Sequence, residues 1–465
     1  MVVIATITRR NERDHHSLEV VSPSPAPEYA PLTEPIPTFD RRPTWRESFG
    51  ALAVHNYRLY LASLALGSTG GWMARVAIDW LVLELTGDVA LVGLAVAFQF
   101  APVLLLGVWA GVLSDRLPRR WVMFATQLLS TLTTGVLAVL VLTGVVVAWQ
   151  VLLSAAITGV AIAIEGPSRS AFVSEMVGIH RLRGAISLNA TTFHLGGLLG
   201  PAISGALIAV VGSGWSIAIN SVTTAVAALA LVLMRGHELV HAPRQPRSRG
   251  QIREALRYVG RKPAIVWSLI LLGTVAVFGM NLPVLLTSAA DQVYGTGAAG
   301  YGLYSSLCAL GAFVGAFLSS RRRTLRLRDV VMFAGLYGSV TAFAAWDGWY
   351  PLFLSALVGI GVTRLLFAMS AEALTQLSTN PAIRGRVVSL YIMVLMGGQA
   401  LGGVVMGAIA ENLGGRWAFF IAGSVPALAA LVVAIVLAHR RELRIRVDLS
   451  TPRRMLRIVR REALG

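Results

Sequence analysis

Charge is scarce in this chain. Of 465 residues only 14% are charged, against roughly 25% in a soluble domain, so most of the surface does not face water. Cysteine is nearly absent. Cys308 stands alone, which excludes an intrachain disulfide and a thiolate metal site, and its apolar surroundings suit a buried, inert thiol. Lysine is equally rare: Lys262 is the only one and nearly all positive charge is arginine, a bias to which no function attaches. No Ser/His/Asp order, metal-ligand cluster or phosphate-cradling loop is found, which argues against an enzyme, a resident metal, a cofactor or ATP drive within the chain. Residues 1–45 also lack the basic, apolar and cleavage regions of a signal peptide. The first membrane helix must itself direct insertion. Residues 1–45 are polar and proline-rich (Pro23, Pro25, Pro27, Pro31, Pro35, Pro37) and are expected to form a disordered cytoplasmic tail.

What is abundant is apolar. Hydrophobic residues make up 55% of the chain and there are 46 glycines, a residue common where membrane helices pack closely. A helix crossing the hydrocarbon needs roughly 20 mainly apolar residues. With that window the chain yields twelve spans, near 58–84, 90–113, 121–143, 148–172, 186–210, 214–234, 264–287, 298–318, 329–346, 350–376, 386–410 and 416–438. Gly212, Ser213 and Gly214 divide the fifth from the sixth. The formal net charge of +17 sits in short clusters between these runs rather than on one soluble face, so it does not indicate a nucleic-acid partner.

The clusters fix direction, because arginine-rich connections stay cytoplasmic. One set of connections carries Arg116, Arg119 and Arg120, then Arg181 and Arg183, the stretch Arg235 to Lys262, Arg321 to Arg328, Arg384 and Arg386, and the C-terminal tail. The alternate set (85–89, 144–147, 211–213, 288–297, 347–349, 411–415) has neither lysine nor arginine. Both termini are therefore expected on the cytoplasmic side of the cell (inner or plasma) membrane. Trp149, Trp215, Trp349, Tyr350 and Trp417 near outer ends, with Trp45 and Trp121 near inner ends, form the aromatic belts of such a protein.

The basic connection divides the chain into a six-span bundle over 46–234, a linker over 235–263, a second bundle over 264–438 and a basic cytoplasmic tail over 439–465. Within the linker, Ile252, Ala255, Leu256 and Val259 recur at helical spacing against Arg253, Arg257 and Arg261, the pattern of an amphipathic helix on the inner leaflet. The halves repeat: aligning Arg183-Gly184 with Arg384-Gly385 also aligns Gly196-Gly197 with Gly397-Gly398, and with one residue of slip Trp215 matches Trp417. A repeat of whole six-helix halves reads as a secondary transporter with its substrate site between them.

Between spans two and three stands Gly111-Val112-Leu113-Ser114-Asp115-Arg116-Leu117-Pro118-Arg119-Arg120. This resembles the signature loop of the major facilitator superfamily, with Pro118 near the place of the usual glycine. Gly111 allows close helix approach, and Asp115 is suited to accept from a neighbouring helix N-terminus and to pair with arginine. Arg116, Arg119, Arg120, Arg169 and Glu175 complete the expected cytoplasmic gate. The second half has a worn copy, Gly315 with Ser319 in place of the acid before Arg321. Span five holds Gly196, Gly200, Pro201 and Gly205, similar to the antiporter motif of the superfamily; helix packing with a proline bend explains the same residues. The segments Gly70–Gly87, Gly166–Val177 and Asn189–Ile208 together resemble the branch containing the enterobactin exporter and macrolide efflux proteins. The resemblance covers roughly 46–440 and implies an all-α membrane protein of twelve transmembrane helices in two six-helix pseudo-symmetric halves, exporting a small hydrophobic compound with the proton gradient as energy source.

Ionisable residues in hydrocarbon cost at least ~2.5–3.5 kcal/mol each, so they have partners or a task. Arg75 and Asp79 lie four apart on span one and share a face, in its outer half. Asp79 reads either as a proton-accepting carboxylate or as half of a permanent ion pair with Arg75. Glu165 and Arg169 repeat the spacing on span four, and Arg364 and Glu372 lie on span ten. Asp79, Arg75, Glu165, Arg364 and Glu372 are the proton-coupling candidates, and Arg169 goes with the gate. Arg364 has no partner on its own helix turn, so it reads as pairing across the halves or as contacting an acidic substrate group. Gln99, His194, Asn281 and Gln399 are candidate cavity liners, and Phe98 and Phe100 candidate apolar contacts.

The sequence thus points to efflux of a drug- or siderophore-like small molecule by alternating access in a monomer embedded in the bilayer. A lysophospholipid or lipid translocator and a proton-coupled uptake symporter are the alternatives on the same fold, because fold does not set direction.

Overall fold

The computed structural model describes residues 36–37, 49–239, 251–320, 324–346, 349–380, 383–440, 443–447 and 456–460. Twelve long helices carry the chain. They are α1 (His55–Thr86), α2 (Val89–Arg116), α3 (Arg119–Leu142), α4 (Ala148–Gly178), α5 (Gly184–Val211), α6 (Ser213–Leu233), α7 (Pro263–Val293), α8 (Gly297–Ser320), α9 (Leu327–Trp346), α10 (Tyr350–Leu377), α11 (Arg384–Leu413) and α12 (Gly415–Arg440). Eleven are long and apolar enough to cross a membrane. The twelfth, α1, has 32 residues, but Gly67–Gly71 and the charged Arg75 and Asp79 make it less apolar.

Helix boundaries follow local chemistry. Asp88 caps α2, its Oδ1 accepting from the Ala90 amide at 2.6 Å. Helices α4 and α5 run on from one another except at Gly178, whose φ of 69° breaks the ladder, and Gly212 (φ 89°) ends α5 before α6. Helix α7 is interrupted: wide turns over Val275–Gly279 and Ala289–Val293 flank a break at Met280–Asn281. The buried Asn281 amide fills this break, donating to Ala276 O at 3.1 Å and Val277 O at 2.9 Å.

The first six helices and the last six pack by the same plan. Helix α3 lies on α6 and α9 on α12. A methyl added at Gly135 would meet Ser221 Oγ at 3.0 Å, and one at Gly338 would meet Gly423 O at 2.5 Å. The halves join through α2 against α11 and α5 against α8, two contacts that exchange when each helix is shifted by six. Glycine makes both possible. A Cβ at Gly93 would stand 2.1 Å from Gly403 O, and one at Gly205 would stand 2.7 Å from Gly302 Cα. These approaches lie at the arginine-poor end of the bundle. At the basic end of the same helices, Gly107 and Gly385 have open space where a Cβ would stand.

Smaller elements decorate the basic end. The linker helix Gln251–Gly260 buries Ala255 and Val259 and leaves Leu256 exposed. Its Glu254 accepts from Arg386, and Tyr258 Oη accepts from the Asn380 amide at 3.1 Å. Ile36–Pro37, within the segment expected to lack structure, pairs with Thr324–Leu325, and Leu443–Val447 pairs with Leu456–Arg460. The rest of the N-terminal segment lies outside the described residues.

Candidate transport site

Asp79 lies at the seam between the halves and is fully buried. Its Oδ2 accepts a hydrogen bond of 2.8 Å from Tyr301 Oη of α8. Its Oδ1 has no partner among the described residues. Trp80 stacks on Tyr301, with ring centroids 6.5 Å apart. The i, i+4 neighbour Arg75 is turned elsewhere. Its guanidinium lies 5.0 Å from the Trp72 ring and 5.5 Å from the Phe100 ring, and it makes no ion pair within 4.0 Å of Asp79. The permanent Arg75–Asp79 pair, one of the two sequence readings, is thus not the arrangement found.

Arg75 reaches a cavity of about 490 Å³ walled by the first half, which Gln99, Gln127, Glu165, Arg169 and Phe193 also line. Toward its basic end Glu165 Oε1 accepts from Arg169 at 2.5 Å and from Gln127 Nε2 at 2.9 Å. Here the i, i+4 spacing does form an ion pair. Trp72 and Phe193 pack at 5.8 Å between ring centroids, and Phe193 meets His194 at 6.0 Å. The wall mixes apolar and aromatic side chains with polar ones such as Ser63, Gln99, Thr134, Thr158 and Asn220, and it can hold a small molecule that carries both kinds of surface.

The second half contributes Arg364, half-buried on α10, whose Nε has no partner among the described residues. It lies within electrostatic reach of Arg75 and His194 of the first half. Glu372, two turns on, is exposed and bonded by Gln376 at 3.0 Å, so it does not neutralise Arg364. Gln399 is half-buried on α11. These side chains bring no cluster of metal ligands together among the described residues.

The family of transmembrane secretion effectors matches residues 47–454. The chain belongs to this family of major facilitator transporters. The staphyloferrin A transporter of Staphylococcus aureus is 23% identical over 79% of this chain and 92% of its own length. The multidrug efflux pump Tap of Mycolicibacterium fortuitum is 28% identical over 83% of this chain and 96% of its own, and the enterobactin exporter EntS of Citrobacter koseri is 24% identical over 58% and 64%. Among solved structures, an inward-facing bacterial homologue of the human lysosomal transporter Spinster superimposes with a TM-score of 0.61 at 16% identity, covering 83% of this chain and 96% of that one. The last comparison shows the fold alone.

The loop that carries the superfamily resemblance divides its work in this secretion effector. Arg119 Nη1 meets Glu175 Oε1 at 2.6 Å, tying the start of α3 to α4. Arg120 donates to Leu231 O at 2.6 Å and Val232 O at 2.8 Å, where α6 leaves its last carbonyls without helical partners. Arg116 is exposed. The surroundings of Gly111 and the side chain of Asp115 lie outside the described residues. Glu165–Arg169 and Arg119–Glu175 form two separate clusters, with no hydrogen bond or ion pair between them among the described residues.

The glycines of α5 serve two neighbours. A methyl at Gly196 would meet Ser68 Oγ at 2.5 Å, and one at Gly200 would meet Thr69 O at 2.7 Å, both on α1. Gly205 faces α8 across the seam, and Pro201 O comes within 2.7 Å of a methyl at Gly302. Sequence reasoning missed Tyr301. A tyrosine this near the start of α8 reads as an interfacial anchor; the signal against that reading is its neighbour Gly302, whose bare backbone lies against Gly205 of α5, while the Tyr301 ring meets Asp79 and Trp80 of α1.

Proposed function

We propose that this transporter exports a small, largely apolar organic compound from the cytoplasm by alternating access, driven by inward proton movement. The basic end, with both termini, faces the cytoplasm. The chain acts as a monomer in the plasma membrane, without a cofactor or a nucleic-acid partner.

One observation carries this reading: Asp79 is a carboxylate sealed into the seam that alternating access must open. With the arginine-poor end closed, it meets Tyr301 of the other half and is fully buried. Separating α1 from α8 breaks that bond and presents the carboxylate to the opposite compartment. A carboxylate in an apolar seam is costly unless neutralised by a proton or a cation, and Arg75 is turned away onto aromatic rings. A group whose exposure alternates with the cycle is the requirement for proton coupling.

A thermal-shift screen of the purified protein against siderophores, macrolides and lysolipids at two pH values selects a cargo. Inverted membrane vesicles then read direction and coupling. The proposal expects cargo to accumulate inside energised vesicles and a protonophore to abolish this. Accumulation indifferent to the protonophore contradicts proton drive, and accumulation only in right-side-out vesicles contradicts export.

A further inference from the structure

Helices α2 and α11 run in opposite directions along their seam. A Cβ at Gly397 would stand 3.1 Å from Leu104 Cδ1, and one at Gly407 would stand 3.1 Å from Ala90 Cα. Gly403, Gly407 and Glu411 follow at four-residue spacing and so share one face of α11. The two glycines bring that face onto the backbone of α2. One turn further on, Glu411 Oε2 accepts from the Val89 amide at 2.9 Å, joining residues 322 positions apart.

Val89 is the first residue of α2 and is fully buried. The first amides of a helix have no carbonyl of their own helix to bond. Asp88, the cap of α2 itself, serves the Ala90 amide, and the Val89 amide is served from the other half of the molecule. A carboxylate there also meets the positive end of the helix dipole. The companion seam has no such group: the last turn of α5 reads Ile208-Ala209-Val210-Val211. Because α2 and α11 are antiparallel, each end of their seam joins the last turn of one helix to the first turn of the other. The chain has an acid in both last turns, Glu411 at the arginine-poor end and Asp115 at the basic end.

We propose that Glu411 is a latch on the arginine-poor end: its carboxylate caps α2 while that end is closed, and opening releases it. The latch acts on the α2–α11 seam as the Asp79–Tyr301 bond acts between α1 and α8. Glu411 is exposed, so its side chain is free to swing into water once the helices part. The inference rests on the alternating-access reading and is independent of the coupling ion.

Spin labels across the arginine-poor end of the purified full-length protein, in a Cys308→Ser background, read the population open there. Glu411→Ala is expected to raise it about fivefold, and Glu411→Gln by less, because an amide oxygen still accepts but carries no charge. Asn412→Ala removes the neighbouring exposed side chain, which bonds Ala408 O of its own helix at 2.8 Å, and is expected to leave the population unchanged. A monodisperse elution profile shows that each variant is folded. The parent's distance distribution in Glu411→Ala overturns the latch, as does an equal shift in Asn412→Ala. Where Tyr301→Phe opens the end and Glu411→Ala does not, the latch alone fails. Where no variant opens that end and cargo does not either, alternating access fails with it.

Discussion

Tyr301 of α8 donates a 2.8 Å hydrogen bond to Asp79 of α1, joining residues 222 positions apart across the seam between the halves. In the proposed cycle, opening the arginine-poor end parts α1 from α8 and breaks this bond. A hydrogen bond to an ionised group is worth about 1.5–3 kcal/mol, and its loss moves a two-state equilibrium by roughly 10- to 100-fold. Tyr301→Phe is therefore expected to raise the population open at the arginine-poor end by at least ~10-fold. Spin labels placed across that end, in a background where the single buried Cys308 is replaced by serine, measure the shift. An unchanged distance distribution would mean that the bond does not hold the closed state.

The glycine contacts give a steric test of the same seam. A Cβ at Gly93 would stand 2.1 Å from a backbone oxygen, so Gly93→Val cannot be accommodated without parting α2 from α11. Transport is expected to fall more than ~10-fold, the equivalent of over ~1.4 kcal/mol, with expression retained. Gly107→Ala on the same helix meets open space and is expected to transport normally. Equal effects of the two substitutions in the vesicle assay would contradict the assignment of the seam.

At the basic end the test is one of stability. Arg119 and Glu175 are mostly buried, with side-chain exposures of 19% and 11%. Removing one partner strands the other, at a cost of about 3–5 kcal/mol for a fully buried pair and less here. Glu175→Leu and Arg119→Leu are each expected to lower the melting temperature in detergent by several degrees. The double variant is expected to lie closer to the parent than the sum of the two. Strict additivity would show that the two side chains do not interact.

Much of this architecture is legible in the chain itself. Apolar run length and arginine placement give the twelve helices, and Gly212 marks a break whose positive φ only glycine adopts freely. The helices overrun the expected spans, as α1 does at His55–Thr86 and α7 at Pro263–Val293, because a hydropathy window reports the hydrocarbon thickness and not where backbone bonding stops. Glu165–Arg169 pairs as its spacing implies. Arg75–Asp79 has the same spacing and does not, because Trp72 and Phe100 offer the guanidinium ring faces and Tyr301 serves the acid. Tertiary neighbours 25 and 222 positions away decide that outcome, and helical spacing carries no information about them.

Asp79→Asn tests the central claim most directly. Asparagine keeps an oxygen to accept from Tyr301 but cannot carry the proton. In proteoliposomes the account predicts that cargo transport driven by a pH gradient falls to the level seen without a gradient, while cargo binding to the purified variant persists. Gradient-driven transport undiminished by the substitution would contradict Asp79 as the coupling group.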